Sequence, residues 1–371
     1  MDKHLDPDMP IHKERQVELD IAKGITVLLM ICVHIQEVLS HTIVQHSSPG
    51  MALEFLTAFP AAPTFMFAMG ACLVYSKRQS ARYAARRGLS LLLAAYLLNA
   101  LRGFLPGLIG IKLGIFTKGS IPYGDLLLNL LDVDILHFAG LSFLFIGLLR
   151  RLRVPERAYP VIGLLLVGLN YLVRGISTGQ IYIDSILGLF WGASETSYFP
   201  FLSWIMYPLA GAAFGHALKA SDDKRVIYIK GVLAGGAALL LAMLASGFRF
   251  MYYMGFPEEN MYAYFHEDLI GNAVNGSLAL IWISFLFFVK GAFPKAAVDR
   301  LLFWSRELNH IYIIHWVIIG WSALFIGYNR LMYWQSALAM ASVLFATDRI
   351  ATFYAGQYKR FKEKPATITS A

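Results

Sequence analysis

Apolar residues run along this chain in stretches of about twenty, separated by short polar links. A helix needs about 20 mostly apolar residues to cross a bilayer. Ten stretches meet that length to within a few residues: 21–39, 55–76, 88–109, 133–150, 158–174, 201–218, 226–246, 271–290, 308–327 and 333–354. Hydrocarbon offers backbone N–H and C=O groups no partner, so each stretch must satisfy its own hydrogen bonds as a helix. The pattern therefore predicts an all-α integral membrane protein of about ten transmembrane helices. It forms one domain over 1–371, with spans over about 21–354 and a tail at 355–371. Residues 176–200 are too polar to span and read as a loop, with a short re-entrant or interfacial helix around Ile181–Trp191. Pro60 and Pro63 fall inside the second stretch and should break its hydrogen-bond ladder near Phe59–Pro63. Broken helix is tolerated at membrane depth only against protein or a water-filled space, which points to a cavity facing the first helix. No internal repeat and no low-complexity segment is visible.

Composition sharpens the class. Hydrophobic residues make up 57% and charged residues 15%, with a mean hydropathy of +0.55. Soluble domains carry roughly a quarter charged residues, so a soluble enzyme, a disordered chain and a disulfide scaffold are excluded. Cys32 and Cys72 both lie in apolar runs and suggest neither a zinc site nor a disulfide framework. The first stretch lacks a small-residue cleavage site and carries Lys23, His34, Gln36 and Glu37, so it reads as a retained helix rather than a signal peptide.

The net charge of +8 reads as topology rather than as a nucleic-acid surface. With the N-terminus in the cytoplasm and ten alternating spans, 26 of the 32 Lys and Arg fall inside. Only Arg102, Lys112, Lys118, Arg174, Arg249 and Arg330 fall outside. Cytoplasmic links are the Lys- and Arg-rich ones, so both termini are expected in the cytoplasm. A bacterial-type plasma membrane is the simplest location. The outer links 110–125, 175–200 and 247–270 are long and aromatic, the last also holding Glu258 and Glu259. They suit an interfacial belt or a cleft for a sugar-like ligand.

Ionisable residues inside spans mark functional sites by default. The first helix carries Asp20, Lys23, His34 and Glu37, with His41 and His46 just beyond. Asp20 and Lys23 stand one turn apart and can pair. His34 lies eleven residues after Lys23, ~16 Å along the axis, and a histidine there can accept a proton near neutral pH. Further candidates are Asp132, Asp134 and His137, the asparagines Asn272 and Asn275, and Asn309, His310, Tyr312 and His315. Asp134 and His137 are one turn apart. His310 and His315 are about 140° apart around a helix, unlike the i, i+4 histidines of a zincin. There is no metal motif, no phosphate-binding glycine loop, no dinucleotide fingerprint and no Gly-x-Ser-x-Gly elbow. No metal and no nucleic-acid partner is expected.

The run Leu19-Asp20-Ile21-Ala22-Lys23-Gly24 to His34 resembles the opening of transmembrane acyltransferases, Asp-x-x-Arg-Gly followed by a polar residue eleven positions after the Arg. The loop Gln45-His46-Ser47-Ser48 and the proline-bearing run Phe59–Gly70 resemble the heparan-α-glucosaminide N-acetyltransferase family. Asp134-Ile135-Leu136-His137-Phe138-Ala139-Gly140-Leu141-Ser142 is similar to its bacterial members. Ser305–Trp316, with Asn309-His310-Ile311-Tyr312-Ile313-Ile314-His315, is similar to a helix shared with bacterial membrane O-acyltransferases. Residues 176–300 match nothing familiar.

The resemblance implies an acyltransferase using cytoplasmic acyl-CoA, acetyl-CoA in the first instance, on a hydroxyl or amine of an extracytoplasmic glycan. The catalytic histidine falls on His46 by the lysosomal-type pattern and on His34 by the O-acyltransferase pattern, with Glu37 and Asp20 as orienting or pairing groups. The family Arg is Lys23 here, which keeps the charge but loses the bidentate fork. Lys23 with Arg78, Arg82, Arg86 and Arg87 are the candidate CoA-binding residues; those four and Lys77 are equally explained as a positive-inside signal. His41, Asp134, His137 and His315 are candidates on the acceptor side. Membrane lipid is the remaining expected partner, and the sequence sets no oligomeric state. The rival reading from another class is a multi-pass transporter or flippase, although many transporter folds show internal repeats.

Overall fold

The computed structural model describes residues 16–58, 61–256 and 261–363, with side chains as far as Tyr358. Phe59, Pro60, Glu258, Glu259 and the terminal Lys3, Lys13, Arg15 and Lys364 lie outside the described residues, as do the side chains of Lys359, Arg360 and Lys362. Among the described residues the chain is helical, with only two isolated bridges, Ser40 to Leu331 and Val133 to Ser197.

The first half comprises α1 (Val17–Leu39), α2 (Thr42–Gln45), α3 (Ser48–Ala58), α4 (Ala62–Tyr75), α5 (Ala81–Asn99), α6 (Leu105–Lys112), α7 (Leu126–Leu131), α8 (Ile135–Arg151) and α9 (Tyr159–Val173). The second comprises α10 (Ile181–Leu187), α11 (Phe201–Trp204), α12 (Met206–Ala220), α13 (Lys224–Ala245), α14 (Phe250–Tyr253), α15 (Met261–Phe265), α16 (Leu269–Val289), α17 (Lys295–Arg306), α18 (Leu308–Ile326) and α19 (Tyr333–Glu363).

All ten apolar stretches are helical. Eight of the resulting helical segments are long and apolar enough to cross a membrane. The other two, α8 with 17 residues and α9 with 15, are shorter than that length. The third stretch extends in both directions, because a π-helical turn at Ala100–Phe104 joins α5 to α6 in one run from Ala81 to Lys112. The break expected at Phe59–Pro63 falls partly on Phe59 and Pro60, outside the described residues. α3 ends at Ala58 and α4 starts at Ala62, with Pro63 in its first turn, where the missing N–H leaves no bond unmade. A short helix, α10, forms within the polar stretch.

Position in the bundle follows side-chain size. α1 is central and touches α3, α4, α16, α17, α18 and α19, and it buries residues along its whole length, from Glu18 to Leu39. α4 and α12 approach most closely: a Cβ at Gly211 would stand 1.9 Å from the Phe67 carbonyl oxygen. Lipid supplies little hydrophobic drive between helices, so close backbone contact through small residues does the joining. α13, by contrast, exposes Leu233, Leu240, Leu241 and Leu244 on an outward apolar face.

The links fall into two groups. His41 N–H reaches the Leu331 carbonyl at 2.8 Å and Asn329 N–H reaches that of Val38 at 3.1 Å. Val133 N–H reaches Thr196, and Tyr198 N–H returns to Val133. At the opposite end of α1, Lys290 reaches Glu18, and Ser305 reaches Asp20.

Candidate active-site cavity

A cavity of about 800 Å³ lies beside the second half of α1, within the size range of small-molecule sites. Its walls come from α1, the α3–α4 break, the π turn, the start of α8, α18 and the loops holding Tyr123, Tyr198 and Phe256. Thr57, Ala58, Ala61 and Ala62 line it, so the described residues on either side of Phe59 and Pro60 face a cavity against the first helix.

His34 is one of its lining residues. Its Nδ1 lies 3.0 Å from Nε2 of His315. Trp316 stacks on the His34 ring with centroids 4.2 Å apart. The guanidinium of Arg102 lies over Trp316, 4.3 Å from the ring centroid. Arg102 is buried and bonds Asp132 at 3.1 Å and Asp134 at 3.2 Å.

Asp134 owes its place to local structure. It caps α8, accepting from Leu136 N–H at 3.0 Å, and a capping box ties it to His137. Its carboxylate also accepts from Tyr312 Oη at 3.0 Å and meets His137 Nδ1 at 3.3 Å. Asp132 accepts from Tyr123 Oη at 3.2 Å, and Tyr123 is 2.9 Å from the Tyr198 hydroxyl. Tyr123 holds a left-handed φ of 58°, a conformation that side chains with a Cβ adopt rarely and that clusters at functional sites. Outside the spans, Tyr182 donates to Asp125 at 2.8 Å. That bond and the Leu127 N–H hold the Asp125 carboxyl below its ordinary range and clasp α10 to the loop before α7.

Two more carboxylates line the cavity. Glu37 stands one turn beyond His34, and Glu54 accepts from Gln36 Nε2 at 3.1 Å. Against Arg102 there are therefore four carboxylates: Glu37, Glu54, Asp132 and Asp134.

Of the residues singled out from the sequence, His34, Glu37, Asp132, Asp134 and Tyr312 line the cavity; His46, Asp20, Lys23, His41, His137 and His315 do not. His46 is exposed on the link after α2, with Nδ1 2.8 Å from the Thr42 carbonyl. His41 caps α2, its Nδ1 accepting from Ile43 N–H at 3.2 Å. His137 is buried and packs edge-on against Tyr96. His315 sits behind His34 and is buried. Asp20 pairs with Lys23 at 2.9 Å and accepts from Ser305 at 2.5 Å. Lys77, Arg78, Arg82 and Arg86 are exposed and Arg87 half-buried around the α4–α5 link, and none of them lines the cavity.

Arg102 is the residue that sequence reasoning missed, counted only as one of six outer cations. The signal was its place inside the 88–109 stretch, where an ionisable group is a functional candidate by default. The π turn carries it, and such turns are frequent at functional sites. Gly320 of α18 packs on the same point: a Cβ there would stand 2.0 Å from the Arg102 carbonyl oxygen.

No curated protein matches the chain. The family model described as heparan-alpha-glucosaminide N-acetyltransferase, catalytic, matches residues 15–255. The match takes in His34, the π turn, Asp132 and Asp134 and stops short of α18, which adds Tyr312, His315 and Trp316. With eight membrane-capable helices and a matched region well over half its length, the chain is an integral membrane protein that belongs to the heparan-alpha-glucosaminide N-acetyltransferase catalytic family.

Proposed function

We propose that the protein transfers an acyl group, acetyl in the first instance, from acyl-CoA to a hydroxyl or amine of an extracytoplasmic glycan. The observation that carries this reading is His34. It is a histidine in a substrate-sized cavity, flanked by carboxylates and aromatic rings, on the helix whose opening resembles that of transmembrane acyltransferases. His46, the other candidate, stands outside that cavity.

The acceptor occupies the cavity. Among the described residues the only cation lining the cavity, Arg102, is already paired with Asp132 and Asp134, so the cavity offers no free cation to the phosphates of CoA and its acidic lining suits a polyol or an ammonium. Tyr123, Tyr198 and Tyr264 supply aromatic surface against which a sugar ring can lie. The nucleotide of CoA stays with the basic cluster around Arg78, Arg82, Arg86 and Arg87, and only the thioester arm approaches His34. Thr26 and Met30 are the cavity residues nearest the Lys23 end of α1, the side from which that arm would enter.

His34 takes the proton from the acceptor as its oxygen or nitrogen attacks the thioester carbonyl. The tetrahedral intermediate expels the CoA thiolate as the carbon–sulfur bond breaks. His34 then returns the proton to that sulfur, so the base starts the next cycle neutral. Both termini lie in the cytoplasm in this arrangement, and the cavity opens on the outer side of a plasma membrane.

The test is purified protein with radiolabelled acetyl-CoA and an amino-sugar or polyol acceptor, scoring labelled product and free CoA. Wild type should turn over. His34→Ala, folded and inserted, should lose about 10²–10⁴-fold, the usual worth of a positioned general base. Full turnover in folded His34→Ala would remove the chemistry from this cavity.

A further inference from the structure

We propose that His315 is a positioning residue that fixes the tautomer of His34, so that Nε2 of His34 is the one atom that can accept the acceptor's proton. This rests on the acyltransferase reading for its consequence, but its geometry stands without it.

The chain of hydrogen bonds starts at a carbonyl. Nδ1 of His315 lies 2.9 Å from the backbone oxygen of Ile311, one turn back on α18. A carbonyl oxygen can only accept, so Nδ1 carries the proton. A neutral imidazole has one N–H, which leaves Nε2 of His315 with a bare lone pair. That atom lies 3.0 Å from Nδ1 of His34. Two lone pairs cannot face each other at that distance, so His34 carries its own proton on Nδ1 and donates it. Nε2 of His34 is then the bare base.

The ring geometry agrees. The two imidazole planes are within 9° of parallel, with centroids 5.3 Å apart. Stacked rings stay about 3.5 Å or more apart atom to atom. An N···N separation of 3.0 Å therefore means that the rings meet edge to edge, as a hydrogen bond between them requires. Trp316 against the His34 ring, 27° off parallel, restrains it from turning. His315 has no accessible surface, and a bare imidazolium in a membrane interior would be costly, so both rings rest neutral.

This matters because a free imidazole side chain favours the opposite tautomer, with its proton on Nε2. In that form Nε2 of His34 could not accept a proton at all. His315 thus plays toward His34 the part that a buried carboxylate plays toward the histidine of a serine-protease triad, where the wrong tautomer alone costs ~10⁴-fold in kcat. It does so without adding a charge to the span. α18 lies beyond the matched residues, so the base and the group that orients it come from separate parts of the chain.

The experiment is ¹⁵N solid-state NMR on histidine-labelled full-length protein in lipid, with His34 assigned by its loss in His34→Asn. The expected result in wild type, with no donor or acceptor present, is a protonated Nδ1 and a bare Nε2 on His34. A proton on Nε2 would overturn the proposal. In parallel, His315→Leu should lower kcat by about 10²-fold or more at an unchanged KM for the donor. His315→Gln, whose side-chain oxygen can accept from His34, should recover at least tenfold of that loss. Equal kcat values in folded Leu and Gln variants would also overturn it. Because the spectrum needs no turnover, an inactive wild type with the expected signals would count against the acyltransferase reading alone. If His315→Leu does not fold, the wild-type spectrum still decides.

Discussion

The two ends of α1 both bury charge, and they use it in opposite ways. At the first end, Glu18 is wholly buried. It accepts from Tyr228 at 2.5 Å and from Lys290 at 2.8 Å, while Asp20 is taken up by Ser305 and Lys23. Neither lines the cavity. At the second end, His34 and Glu37 line about 800 Å³ of space, and the fixed ion cluster Arg102–Asp132–Asp134 forms a wall of it. Buried charge therefore locates strain in a membrane helix but does not by itself locate chemistry. Closed clusters hold helices in register; a site needs a charged or basic atom and room for a second molecule beside it.

Four substitutions can break or sharpen that contrast. The largest effect is expected at the closed end. Glu18→Ala strands the buried Tyr228 hydroxyl and removes two hydrogen bonds to a charged group, each worth about 1.5–3 kcal/mol, so the fold should lose about 3–5 kcal/mol. A thermal melt in detergent measures this, and turnover per folded molecule should stay at the wild-type level. If turnover fell in step with no loss of melting temperature, the first end would belong to the site after all.

Glu37→Gln is the mirror experiment. It should leave the melt unchanged and weaken acceptor binding by about 1.5–3 kcal/mol, the worth of a hydrogen bond to a charged group. This reads out as a tenfold or greater rise in acceptor KM with donor KM constant. A stability loss without a KM change would make Glu37 structural.

Gly320→Ala probes the wall between them. Its new methyl would meet the Arg102 carbonyl oxygen at 2.0 Å, and overpacking of this kind costs about 1–3 kcal/mol. Because Arg102 lies over Trp316 and Trp316 packs on His34, kcat should fall with the melting temperature. A stable, fully active Gly320→Ala would show that the π turn can shift freely.

The smallest effect is expected at His46→Ala. Its exposed ring lies outside the cavity, so turnover should change by less than about threefold, under about 1 kcal/mol of barrier. A loss as deep as that of His34→Ala would return the catalytic role to the loop histidine.

Much of the fold was legible in the chain because bilayer thickness imposes a length on every apolar stretch. The helical class, the eight span-capable helical segments and the pairing of Asp20 with Lys23 and of Asp134 with His137 all follow from local rules. Less of the site was legible. His315 and Asp134 were visible as polar residues in spans, but nothing in the spacing says that one backs His34 and the other holds Arg102. Arg102 itself was read as a link residue, because a π turn shifts the register in a way that an ideal helical period does not register.

The sequence by itself determined the class, since an all-α membrane protein depends on a short-range quantity, the apolar length of each segment. Only the tertiary structure decided which polar residues share a space. His34 and His315 are 281 positions apart and 3.0 Å apart; Arg102 and Asp132 are 30 positions apart and bonded. Helix packing sets those distances through the side chains at each crossing. The contact of Gly320 with Arg102 and of Gly211 with Phe67 is therefore what turned scattered polar residues into one cavity.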